Sequence, residues 1–165
     1  MSLRISQLAL RLDAPSPCAS RRWQDGDLIA FLGDTLTLRL ATEVEAAARV
    51  ARELHLPLPP QASERQIQDS AEAWLRREAE QCFGDIIARR SAAAGQAAPK
   101  LQLSFAAKGG WTDVEPATRT RPGKIKCNWR LIEQAPEGIE QVLASALAAV
   151  QTSSATPDLF GSAAA

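Results

Sequence analysis

At 165 residues, 45% hydrophobic and 23% charged, the chain is long enough for one domain with a sizeable core and too short for two, and its composition excludes a disordered or collagen-like polymer. Formal net charge is zero, but residues 1–84 carry 10 basic and 12 acidic side chains, 85–130 carry 9 and 3, and 131–165 carry 0 and 4. No run of about 18 apolar residues is present, so no membrane span is expected, and three cysteines without a spacing framework fit a reducing cytoplasm.

In chain order, Leu3–Leu12 alternates polar and apolar residues and reads as a strand rather than a signal peptide. Asp25-Gly26-Asp27 marks a turn, and Leu28–Phe31 and Thr35–Leu40 flank Leu32-Gly33-Asp34 as a hairpin would. Glu43–Glu53 is rich in Ala, Glu and Arg and favours helix by propensity, which competes with a strand over Arg49–Leu58. Pro57, Pro59 and Pro60 suit the end of an edge strand.

Ser63–Arg90 carries the clearest helical pattern. Ser63 and Gln66 can form a capping box, and Ile67, Ala71, Trp74, Leu75, Ala79, Cys82, Phe83, Ile86 and Ile87 make an apolar stripe. After a loop at Gly95–Pro99, Leu101–Ala107 and Lys124–Asn128 read as strands on either side of a Pro/Thr/Arg-rich excursion, Glu115–Gly123. Pro136–Ala149 reads as a second helix. Pro136 fits its first turn, Glu137 and Glu140 complement its positive end, and Ile139, Val142, Leu143, Leu147 and Val150 form its apolar face.

Four phrases, W-x-DGD at 23–27, LHLPLPP at 54–60, AWLRREA at 73–79 and NWRLI at 128–132, give the chain a family resemblance. It resembles the YgjP-like zinc metallopeptidases, of the WLM and SprT type of zincin. The resemblance implies an α+β, zincin-like fold over 1–165, with a β-rich part at 1–60 and a zincin-like part at 61–165. That fold would hold a long helix, a small sheet and a C-terminal active-site helix. Members carry HELAH on that last helix and a third His shortly after it. Laid on this chain without a gap, Ser145-Ala146-Leu147-Ala148-Ala149 falls on HELAH, and Ala155 falls on the third His.

The chemistry of such a site needs two imidazoles one helical turn apart, a third ligand, and a Glu to activate the metal-bound water. Ser145, Ala146, Ala149 and Ala155 supply none of these, so no catalytic residue, no zinc and no other cofactor is expected. His55, the single histidine, reads as structural, and Cys18, Cys82 and Cys127 as incidental thiols. The family's SRWGSC turn is replaced by Gly109–Val114, which leaves Trp111, Asp113, Asn128 and Arg130 as candidate cleft or binding residues.

The resulting expectation is a catalytically inactive relative with a binding or scaffold role, its protein or small-molecule partner unspecified. Two alternatives stay open: a hydrolase using Asp113, Glu115 or Arg130 in the remodelled cleft, and an interaction module built on the basic 85–130 stretch. Nucleic acid is disfavoured as a partner because only Trp111 and Trp129 supply aromatics there, with no recognised motif.

Overall fold

The computed structural model describes residues 22–154. The strand expected at Leu3–Leu12, Cys18 and Ala155 lie outside the described residues. Four strands form the first sheet: β1 (Leu28–Phe31), β2 (Asp34–Leu40), β3 (Ala48–Val50) and β4 (Glu53–Leu56), in the order β1-β2-β4-β3. β1 and β2 are the expected hairpin, joined through Leu32 and Gly33 at φ 51° and 76°, the left-handed pair that suits a tight hairpin turn. β2 and β4 run parallel, with Leu38 opposite Leu54 and Leu40 opposite Leu56. Alternation places Ile29, Phe31, Leu36, Leu38, Leu54 and Leu56 in the core.

Residues 43–58 hold no helix, despite the local propensity. The strand expected over Arg49–Leu58 is two short strands instead, folded back at Ala51, whose φ is 54°. Placing Leu54 and Leu56 at 0% exposure beside β2 outweighs the few tenths of a kcal/mol per residue that separate helix propensities.

Helix α1 (Glu64–Ala93) begins with the capping box read from the sequence: Gln66 N donates to Ser63 Oγ at 3.3 Å, and Ser63 N donates to Gln66 Oε1 at 2.9 Å. Its predicted stripe is buried from Ile67 to Ile87, with Cys82 half-buried at the margin, and the helix runs three residues beyond Arg90.

The second sheet holds β5 (Lys100–Ser104), β6 (Thr112–Glu115) and β7 (Lys124–Asn128) in the order β5-β7-β6. β6 falls where the sequence suggested only an altered turn running into a loop, and its antiparallel pairing with β7 makes it an edge strand. A 3-10 turn (Trp129–Glu133) then leads into α2 (Pro136–Ser154). α2 packs against α1, β6 and β7, burying Ile139 and Leu143 completely, each worth about 1.5–3 kcal/mol of transfer free energy. Buried side chains of both sheets and both helices form one hydrophobic cluster.

Candidate functional site

The turn between β7 and α2 fixes the site's framework. Asn128, 2% exposed, donates from Nδ2 to Ala106 O at 2.9 Å and accepts at Oδ1 from Arg130 N at 3.0 Å. It thereby caps the 3-10 turn and ties down the loop after β5. Its own N–H donates to Trp111 O at 2.8 Å. The Arg130 guanidinium lies 4.8 Å from the Trp129 ring and pairs with Glu133 at 3.5 Å. Arg76 of α1 approaches the same ring at 5.4 Å and the Phe105 ring at 4.8 Å, and pairs with Glu72 at 2.6 Å. This stack of cations and rings clamps the turn to α1. Asn128 and Arg130, expected as cleft residues, are therefore engaged in holding the framework.

Trp111 and Asp113 are brought together. They line a pocket of about 230 Å³ with Ser104, Ala106, Lys108, the Gly109-Gly110 backbone, Thr112 and Lys126. Asp113 faces Lys126 across the strand pair, and Glu115 meets Lys124 Nζ at 3.4 Å. Among the described residues, neither carboxylate is joined by an imidazole or a thiol that could serve as a paired base or nucleophile.

On α2, Ser145 and Ala149 stand one turn apart and are exposed, while Ala146 between them is buried at 3% exposure. The spacing is that of a two-ligand helical site. The donor atoms are not: Ala149 has none, and Ser145 offers a hydroxyl that a borderline-soft ion binds poorly. Among the described residues, no three His, Cys, Asp or Glu side chains come together to hold a metal. The residues present at these two positions do not fit zinc. The third position, Ala155, lies outside the described residues.

The family model described as YgjP-like, metallopeptidase domain matches residues 4–145. The chain belongs to the YgjP-like metallopeptidase family. No curated protein and no solved structure matches it. The match ends at Ser145, the first position of the five that fall on the zinc-binding signature. The mixed α+β architecture, with two small sheets and two helices, is consistent with a zincin-like fold.

His55, Cys127, Arg89 and Arg90 of this YgjP-like domain are engaged within the fold. His55 Nε2 meets Glu53 Oε2 at 2.9 Å. Burial pushes the Cys127 thiol up to about 12, which leaves it inert at neutral pH. Arg89 and Arg90, counted in the basic stretch, both pair with Glu140 of the acidic one, with Arg90 Nε 2.8 Å from Oε2. Part of the sequence's charge asymmetry is thus neutralised within the fold. No described helix is long and apolar enough to cross a membrane.

One grouping escaped the sequence. Glu78, Gln81, Cys82, Asp85, Ile86 and Arg89 of α1 join Phe31, Leu32 and Ile132 around a groove of about 630 Å³. Its sequence signal was the pair of acidic residues seven apart, at Glu78 and Asp85, bracketing Cys82 on the margin of the apolar stripe.

Proposed function

We propose that this chain is a zinc-free, non-catalytic member of the YgjP-like family that retains the fold as a binding scaffold. The observation that carries the reading is the exposed pair Ser145 and Ala149, one helical turn apart where two imidazoles would be needed, with buried Ala146 in place of the general base. Alanine at 146 and 149 keeps the helix at its highest intrinsic propensity while leaving no coordinating atom at those two positions. Burial of Ala146 also means that a carboxylate there would need a charge partner or metal to offset its desolvation.

Metal content of protein purified without a chelator tests this. Well under one equivalent of zinc per chain is the expected result, and one equivalent overturns the proposal. A Ser145→His/Ala149→His variant gives a second reading of the same geometry. Two exposed imidazoles at i and i+4 should bind Co(II) at least tenfold more tightly than wild type, followed by visible absorption. Equal cobalt binding by both proteins would mean that the wild type already holds a metal site elsewhere.

A further inference from the structure

A groove among the described residues takes no lining residue from α2 or from the second sheet. Its walls are the C-terminal half of α1, the tip of the β1–β2 hairpin and Ile132 of the 3-10 turn. A volume of about 630 Å³ falls within the range of ligand-binding clefts. Phe31, Ile86 and Ile132 are buried beneath it, and Leu32 and Cys82 are half-buried at its surface.

Both signs of charge border this floor, and the cations are engaged: Arg49 lies 5.5 Å from the Phe31 ring. Arg89 is held by Glu140, whereas Glu78 and Asp85 make no ion pair among the described residues. Their field reaches the floor: burial, then Asp85, Glu140 and Glu78, hold the Cys82 thiol above its ordinary value. Glu78 and Asp85 are seven residues apart on one helix, which places them about 10 Å apart along its axis, and the lining from Glu78 to Arg89 extends about 16 Å. A small amine cannot reach both carboxylates. A second helix with basic residues seven apart has the matching repeat on one face.

We infer that the α1 groove is a docking site for an amphipathic helix of a partner protein, whose aliphatic side chains enter over Phe31, Leu32, Ile86 and Ile132 while two Lys or Arg residues meet Glu78 and Asp85. The groove shares no lining residue with Ser145 or Ala149, so this inference stands whether or not the chain proves to be zinc-free.

Cys82 provides the reporter. The full chain carrying Cys18→Ser is titrated with a fluorescent alanine-based helical peptide of about 15 residues, with leucines four apart and lysines seven apart. Binding is read by anisotropy and by protection of Cys82 from N-ethylmaleimide. The lysine peptide should bind and protect Cys82. Glu78→Gln/Asp85→Asn should weaken it about tenfold at low salt, and Glu80→Gln, on an exposed part of α1 outside the groove, should leave it unchanged.

Equal binding of a peptide with Glu in place of Lys would overturn the inference, as would an unchanged affinity of the double variant. Hexylamine protecting Cys82 as well as the peptide would make this a small-molecule site instead. Protection that grows with protein concentration alone would make it a self-association surface. Either outcome rejects the partner helix.

Discussion

Gly33 lies against Ala135 so closely that a Cβ on Gly33 would stand 2.8 Å from the Ala135 Cα. The contact joins the β1–β2 hairpin tip to the start of α2, alongside Leu32 N donating to Ile132 O at 2.8 Å and Gly33 N donating to Glu133 O at 3.3 Å. The β-rich part thus sets the direction in which α2, and with it Ser145 and Ala149, leaves the 3-10 turn.

Gly33→Ala therefore meets two penalties, a left-handed φ of 76° and contact with backbone that cannot swing aside. The expected loss is about 2–3 kcal/mol in urea unfolding. Gly26 has φ 85° but open space around it, so Gly26→Ala should lose only about 1 kcal/mol. Equal losses at both sites would show that the approach to Ala135 is relaxed in solution.

Asn128→Ala removes a buried amide that satisfies both Ala106 O and Arg130 N. A loss of about 2–3 kcal/mol is expected from the orphaned partners and the missing cap. Because this role is structural, the variant's remaining folded fraction should bind the helical peptide with unchanged affinity. A lower peptide affinity with undiminished stability would return Asn128 to a binding surface.

Two carboxylates should give opposite pH dependence. Hydrogen bonding to Arg90, and then Arg89, lowers the pKa of Glu140 from 4.5, so its stabilising effect is present above that value and lost as pH falls through the folded value. The destabilisation caused by Glu140→Gln should accordingly shrink in acid. Burial raises the pKa of Glu133, against the lowering effect of Arg130. Its proton is held more tightly in the folded chain, which favours folding below pH 4.5 and does so progressively less as pH rises through the folded value. Glu133→Gln should gain stability relative to wild type as pH rises. Denaturant midpoints across pH 3–7 check both; parallel curves for the two variants would contradict the assignments.

Much of this architecture was legible because it depends on local chemistry. Ser63 and Gln66 announce the capping box, the stripe from Ile67 to Ile87 matches the 3.6-residue repeat, and the Leu32-Gly33 turn follows from a residue free to adopt positive φ. β6 was missed because Thr112–Glu115 is only four residues long and gains its identity from pairing with β7. Residues 48–56 were ambiguous for a related reason: Ala, Arg and Glu prefer helix alone, and only β2 makes Leu54 and Leu56 core residues.

The candidate site divides in the same way. The sequence by itself determined the family resemblance and the lack of imidazole and carboxylate groups at Ser145, Ala146 and Ala149, since side-chain identity decides donor chemistry before any folding occurs. Only the tertiary structure decided that Asn128 and Arg130 hold the framework, that Trp111 and Asp113 share a pocket, that Glu140 takes both Arg89 and Arg90, and that Glu78 and Asp85 flank an apolar groove. Each depends on groups distant in sequence meeting across elements, and hydrogen bonds, ion pairs and burial act over a few ångströms whatever the separation along the chain.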